Sequence, residues 1–415
     1  MTMNIRRLPL FVIARACPAM STLAIAYTVE RMMGAATYGQ FSLVFTAYLS
    51  AAAFFFGWIS QGVARFSNGE DDLLSTGPEV FFVGWIASVT LILTCAGVVS
   101  FFWGPRSVVF LSAVAACAQG LHLLVVSIHQ ARFRINAYLR LEAIRAACIA
   151  TCVILPTIYW AESFTDLVVG LTAGTLLEFA IVAVFFRKYV SFNKTATSEI
   201  DARLLEVLQY SWPIAIWLAT SLAIPFMDRF VLGLISNKST MGQYAYQYDI
   251  VFRSFTFILL PVTLVVQPSI FKAYSENDIS LVKSLIRKGI ILQSLLGGFL
   301  IVFLYAVIFH IGNFYGKGIH LDKGVFVTLS VAACCWQIAL MCQKVLECKK
   351  MIMQMVALLF FLLSLRKPGS VNSSLPRIWH GGFLYWRVAK WSHVLRHIAL
   401  FRAQGADDLL IFQRK

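Results

Sequence analysis

The sequence predicts an all-α polytopic membrane protein of about eleven transmembrane helices arranged in two halves. Three observations carry that prediction. Of the 415 residues, 59% are hydrophobic and only 13% charged, with mean hydropathy +0.75, which is more apolar surface than a soluble core of that size hides. Apolar runs follow one another at short intervals, most of them long enough to cross a hydrocarbon core of ~30 Å at ~1.5 Å per residue. Lys and Arg crowd into alternate connections between those runs.

The runs fall at about 8–29, 41–64, 80–102, 107–128, 141–160, 166–186, 212–235, 244–267, 289–310, 325–346 and 351–365. The last is short for a span. Short polar turns make neighbouring helices antiparallel. One set of connections holds Arg6, Arg7, Arg65, Arg132, Arg134, Arg140, Arg187, Lys188, Lys194, Arg203, Lys272, Lys283, Arg287, Lys288, Lys344, Lys349 and Lys350; the alternate set holds only Arg31, Arg106, Lys238, Lys317 and Lys323. The asymmetry places the N-terminus in the cytoplasm.

The connection from Lys188 to Ser211 divides the chain. Within it Thr197-Ser198-Glu199-Ile200-Asp201 reads as a helix start, and Leu204, Leu205, Val207 and Leu208 follow as an apolar face. This gives a short amphipathic linker (191–211) between an N-terminal six-helix half (1–190) and a second half (212–365). The stretch Glu276–Lys288, before the ninth run, is similar.

The net charge of +15 is explained by the cytoplasmic connections, so nucleic acid is not an expected partner. The nine cysteines show no CxxC or Cys/His ligand spacing and read as small buried hydrophobes. No cleavable signal is expected, since the first apolar run is too long and carries Arg15 and Pro18. No nucleophile motif, metal spacing or phosphate loop appears, so neither an enzyme nor a cofactor is predicted.

The sharpest feature is charge at membrane depth. The seventh and eighth runs carry Asp228-Arg229 and Asp249 with Arg253, where each ionisable group costs on the order of 2.5–3.5 kcal/mol. Asp249 and Arg253 share a helix face at i, i+4. Asp228 and Arg229 point roughly 100° apart and serve different partners. Both arginines lie roughly 9–14 Å below one membrane face. A structural ion-pair cluster and a polar site in a transport cavity are both compatible with this pattern; excess Arg elsewhere favours the transport site. Arg145 has Glu142 at i+3 spacing as a partner. Glu178 sits mid-helix without a local partner, either paired with Arg or carrying protons. Pro18, Pro213, Pro225 and Pro261 bend helices in both halves and are candidate hinges.

A faint repeat crosses the divide. Glu30-Arg31, Gly34 and Gly39-Gln40-Phe41 are echoed by Asp228-Arg229, Gly233 and Gly242-Gln243-Tyr244. Both halves begin on the same side, so the repeat is parallel.

Ala14-Arg15-Ala16-Cys17-Pro18, Tyr38-Gly39-Gln40-Phe41, Tyr210-Ser211-Trp212-Pro213, Gly242-Gln243-Tyr244, Pro261 and Gln267-Pro268 give the chain a further meaning. Over roughly residues 1–350 it resembles the polysaccharide-biosynthesis flippases of O-antigen and capsule type, within the multidrug/oligosaccharidyl-lipid/polysaccharide exporter superfamily. The resemblance implies two helical lobes around a central cavity that opens alternately to each side of a bacterial inner membrane. The implied partners are the lipid bilayer, an undecaprenyl-pyrophosphate-linked oligosaccharide as cargo, and the polysaccharide polymerase machinery. Such a cargo carries negative phosphates across a low-dielectric core, and Arg holds phosphate bidentately while staying ionised. Arg15, Arg145, Arg229 and Arg253 are therefore the candidate substrate-binding residues. Glu178, Asp228 and Asp249 are candidate charge partners or ion-coupling groups. For Arg15 the plainer reading is snorkelling to the inner face. The alternative function is a cation-coupled multidrug or metabolite exporter of the same superfamily, whose cationic cargo calls for an excess of acid.

Beyond about Met351 the family pattern expects further helices, and residues 366–415 contain no further apolar run. A frameshifted or truncated end is the preferred expectation over a basic extension lying on anionic lipid.

Overall fold

The computed structural model describes residues 8–66, 79–102, 105–131, 134–186, 236–311 and 322–349, with short pieces between 205 and 233 and residue 354. The described residues are almost entirely helical and contain no strand. In chain order the helices are α1 (Leu8–Phe66), α2 (Glu79–Phe102), α3 (Arg106–Ala131), α4 (Ile135–Tyr159), α5 (Phe164–Phe186), α6 (Lys238–Ser275), α7 (Ile279–Ala306), α8 (Lys323–Cys342) and α9 (Lys344–Cys348). A π-helical turn, Val307–Ile311, closes α7. Eight stretches among the described residues are long and apolar enough to cross a membrane. Val98, Phe101 and Phe102 on α2, and Leu295, Phe299, Val302 and Phe303 on α7, are exposed as lipid-facing side chains are. The protein is a multi-pass membrane protein. The linker 191–204, the run 351–365 and the tail 366–415 lie outside the described residues, apart from residue 354.

Three boundaries differ from expectation, each for a local reason. The first two runs are two helices, as expected, but they meet at a kink at Gly34 without a longer loop between them. Within α1 only Gly34 leaves helical geometry (φ 82°, ψ 165°), a conformation glycine adopts without the penalty a Cβ would bring. The apolar pattern misses this because residues 30–40 are polar enough to look like a turn yet contain no proline. Helix α6 begins at Lys238, not Tyr244, because Asn237 Oδ1 caps it by accepting from the Thr240 N–H at 2.7 Å. It also runs on past Gln267-Pro268 to Ser275. Helix α7 takes in the stretch after Glu276, because Asp278 caps it through the Leu281 N–H at 2.9 Å. There Val282 and Leu285 are buried while Lys283, Arg287 and Lys288 are exposed, the expected amphipathic division.

The chain divides into two compact units, one spanning Pro9–Tyr246 and the other Gln247–Lys415 with Met1–Leu8. In the first, Ser21 Oγ donates to the Ala146 carbonyl at 2.9 Å, fastening α1 to α4, and Thr172 Oγ1 donates to Leu111 O at 3.2 Å, fastening α5 to α3. Trp85 of α2 stacks on Phe179 of α5 at 6.1 Å. The start of α6 presses onto α1: a Cβ on Gly242 would lie 1.7 Å from the Ala35 carbonyl oxygen. Gly39 lies against Gly242, and Tyr38 meets Tyr246 edge-to-face at 5.7 Å. The two Gly-Gln-aromatic segments that suggested a repeat thus pack on each other.

In the second unit Val262, Val266 and Ile270 of α6 form a core with Val282 and Leu285 of α7 and Met341 of α8. Buried amides tie the same helices. Gln293 Nε2 donates to Leu259 O (3.1 Å) and Thr263 Oγ1 (2.9 Å), and Gln337 Nε2 donates to Thr256 Oγ1 (3.2 Å).

Candidate functional site

Helices α3, α4 and α5 bring four ionisable side chains together inside the first unit. His122 on α3 lies with its Nδ1 2.5 Å from Glu178 Oε1 on α5, and its Nε2 3.9 Å from Glu142 Oε1 on α4. Arg145, one turn beyond Glu142, holds Glu142 Oε2 from Nη2 at 2.9 Å. His122, Glu142 and Glu178 are 2%, 3% and 1% exposed, while Arg145 is half-buried at the edge of the centre. Counting ~1.5 Å per residue from one end of each helix, all four lie roughly 10–15 Å deep on the same side of the bundle. Each helix is apolar enough to span, and burial of these groups is bearable only because they face one another.

Of the sequence candidates, Glu178 and Arg145 belong to this centre. Glu178 has a histidine partner, which its own helix could not reveal. Arg145 pairs with Glu142 at the spacing that suggested it. His122 was missed by looking only at arginines and carboxylates. The signal was present, because His122 and His129 stand seven residues apart inside an otherwise apolar run, two turns along one helix face, and both are buried.

A second polar site in the same unit lies by α1 and the start of α6. Arg229 is 1% exposed and its Nη1 donates to the Ser42 hydroxyl. Neighbouring Asp228 accepts from the Tyr244 hydroxyl at 2.9 Å. The two adjacent residues thus serve partners on different elements. In the second unit Arg253 Nε lies 3.3 Å from Asp249 Oδ1, an i, i+4 pair with Asp249 3% exposed. Arg253 lies roughly 22 Å along α6 from the helix start at Lys238, the first turns of which are the polar residues before the apolar run. Arg15 belongs to α1, and its side chain lies outside the described residues. All nine cysteines are free thiols. Among the described residues no group of three His, Cys, Asp or Glu is arranged to hold a metal ion.

Comparison with solved structures finds the same fold in membrane transporters. A transporter of the MOP superfamily from Pyrococcus furiosus Vc1, reported with a binding pocket of reversed polarity, superposes with a TM-score of 0.63 at 12% identity, covering 95% of this chain and 94% of that one. A MATE protein in complex with MaL6 gives 0.66 at 13% identity, covering 96% of each chain. A multidrug resistance MATE family transporter in an outward-facing conformation gives 0.59 at 12% identity, covering 98% and 95%. No curated protein matches the sequence. The family described as polysaccharide biosynthesis protein matches residues 20–274, well over half the chain and including Arg145, Glu178, Arg229 and Arg253. The chain therefore belongs to the polysaccharide biosynthesis protein family, with the fold of the MOP-superfamily transporters.

Proposed function

We propose that this protein is a flippase. It moves an undecaprenyl-pyrophosphate-linked glycan from the cytoplasmic to the periplasmic leaflet of a bacterial inner membrane by alternating access, for assembly of O-antigen or capsular polysaccharide. The observation that supports this reading is the family match over residues 20–274, which contains the buried Arg229 and the half-buried Arg145 and Arg253. In it Arg15, Arg145, Arg229 and Arg253 neutralise the pyrophosphate, and Glu178, Asp228 and Asp249 keep those cations folded and in place between cycles. The N-terminus is cytoplasmic, the lobes are 1–190 and 212–365 joined by 191–211, residues 366–415 are a basic polar stretch, and a polysaccharide polymerase takes the product.

The multidrug transporters of the same fold support a second reading, a cation-coupled exporter of drugs or metabolites. Cargo charge separates the two. Proteoliposomes containing the protein are assayed for transfer of an undecaprenyl-pyrophosphate-linked oligosaccharide and, in parallel, for transport of a cationic dye. Glycan transfer without dye transport is expected, and the opposite result would replace the flippase reading by the exporter.

Arg253 gives the residue-level test. Lysine keeps its charge but not its planar fork, so Arg253→Lys should lose most glycan transfer if the side chain holds phosphate. Arg253→Ala leaves Asp249 without this partner, and such truncations cost about 3–5 kcal/mol when buried. Adding Asp249→Ala removes that orphaned charge. Rescue of folding without rescue of transfer supports a phosphate contact; rescue of both makes the pair structural.

A further inference from the structure

We propose that His122 is a proton-binding site inside this membrane protein, exchanging one proton with the surroundings while Glu178, Glu142 and Arg145 hold it in place. The first ground is geometry. Its Nδ1 is 2.5 Å from Glu178 Oε1, and its Nε2 faces Glu142 Oε1 at 3.9 Å. The ring is thus suspended between carboxylates on two different helices. Neither Glu178 oxygen nor His122 Nδ1 makes a hydrogen bond among the described residues although both side chains are buried, so acceptor positions are open at the carboxylate that faces the ring.

The second ground is charge. With a neutral imidazole, Glu142, Glu178 and Arg145 sum to one negative charge, with both carboxylates buried. One proton taken up on the ring brings the four residues to neutrality. The centre therefore alternates between two charge states that differ by one proton, with no covalent bond made or broken. Protonation turns the Glu178 contact into a charge-assisted hydrogen bond and draws α3 to α5; release leaves a net negative charge in low dielectric.

The third ground is that the neighbouring tyrosines and cysteines do not compete for this role. Around the ring and its partners stand Glu142, Arg145, Tyr138 and Cys148 on α4, Glu178 on α5 and Tyr48 on α1. His129 and Cys117 lie on α3 itself. Ionising a tyrosine or cysteine would add negative charge to a site already in deficit of positive charge. Histidine is the side chain whose ordinary titration falls between about pH 5 and 8. Sodium is a poorer fit. Hard cations prefer shells of oxygen ligands, and the 2.5 Å contact leaves no room for an ion between His122 and Glu178.

As the energy-coupling site of a flippase, this centre rests on the transport reading above. As a proton site it does not, and the test keeps the two apart. Full-length protein carrying ring-labelled histidine is placed in lipid nanodiscs in sodium-free buffer and stepped from about pH 8.5 to about pH 5.5 while infrared difference spectra are recorded. The expected result is an imidazole protonation band and a carboxylate band that grow together with one midpoint. His122→Gln should remove one histidine's share of the imidazole band together with the carboxylate component that grows with it, leaving the signals of the other six histidines. Glu178→Gln should keep the imidazole band, lose the carboxylate component and displace the midpoint by roughly one pH unit or more. If His122→Gln leaves the bands unchanged, the proposal is overturned. Should that variant not fold, a Glu178→Gln spectrum identical to wild type overturns it instead. Bands that appear on adding sodium chloride at constant pH assign the site to sodium and also overturn it. Proteoliposomes of the same preparation, given the lipid-linked oligosaccharide, report separately on transport. Titration of His122 without glycan transfer retains the proton site and rejects the flippase.

Discussion

The two units solve the same problem with different chemistry. Each must bind helices to one another in lipid, where burying apolar surface gives little drive because the surroundings are equally apolar. In the second unit the amides that tie α6 to α7 and α8 are neutral, with the ion pair Asp249–Arg253 lying within α6: Gln293 bridges to Thr263 and the Leu259 carbonyl, and Gln337 to Thr256. Such bonds add on average about 0.6 kcal/mol each and do not change with pH. In the first unit the tie between α3, α4 and α5 is made of His122, Glu142, Glu178 and Arg145. If cohesion were all that is needed, amides would provide it at lower desolvation cost. The ionised cluster is therefore the one whose strength can be altered by a proton, and the amide cluster is the one that cannot.

The largest effect that would sharpen this contrast comes from Glu142. Glu142→Ala leaves Arg145 and His122 facing each other without the carboxylate between them, and breaking a buried pair costs about 3–5 kcal/mol. Folded yield in detergent and thermal unfolding should both fall steeply. Replacing Glu142 and Arg145 together by Ala should recover much of the loss. A Glu142→Ala protein as stable as wild type would show that the cluster carries little energy, and the contrast between the units would collapse.

Packing gives the next largest effect. Gly170 on α5 fits against the backbone of α4, and an added Cβ would stand 2.4 Å from the Cys152 carbonyl oxygen. Gly297 on α7 meets only the Cys334 thiol at 2.5 Å, an atom that can rotate aside. Gly170→Ala must therefore separate α4 from α5 and pull Glu178 from Glu142, at a cost in the overpacking range of about 1–3 kcal/mol. Gly297→Ala should be close to neutral. Thermal melts of the two variants side by side check this, and equal losses would mean that both helix pairs yield alike.

Smaller again is the loss from the neutral tie. Gln293→Leu removes the donor to Thr263 and Leu259 while keeping bulk, so the expected destabilisation is about 0.6–1.7 kcal/mol and insensitive to pH. A loss as large as that of Glu142→Ala would mean that the neutral tie matters as much as the charged one.

Sequence and structure part company along the same line. The pairs Asp249–Arg253 and Glu142–Arg145 were legible because helix geometry fixes which residues three or four apart can meet. The divergence of Asp228 and Arg229 was legible for the same reason. Multi-pass class followed from run lengths, which depend on bilayer thickness alone. What lay hidden is what three helices do together. Glu178 finds His122 from another part of the chain, and no periodicity within α5 encodes that. Helix ends were hidden too, since Asn237 and Asp278 start α6 and α7 well before their apolar stretches begin. Hydropathy marks where lipid starts, whereas capping marks where the helix starts.

Asp278 offers the smallest effect and a last check on whether titration matters in the second unit. Its carboxylate accepts from the Leu281 N–H at 2.9 Å and the Ser280 hydroxyl at 2.8 Å. These hydrogen bonds, the backbone one first, hold the group below its ordinary range near 3.8. A carboxyl whose folded value is depressed stabilises the fold above its unfolded value and loses that contribution as pH falls through the folded one. The cap should therefore act fully at neutral pH and weaken only below about pH 4. Asp278→Asn keeps an acceptor and should melt like wild type at neutral pH, with less decline on acidification. Asp278→Ala should melt slightly lower at pH 7, and its deficit relative to wild type should shrink in acid. Because the group is fully exposed, water competes for both bonds, and the difference should be at the edge of what a melt resolves. A pH dependence of the second unit centred near neutrality, surviving Asp278→Asn, would show a titrating group there that the amide network does not contain, and the division between a switchable and a fixed helix tie would fail.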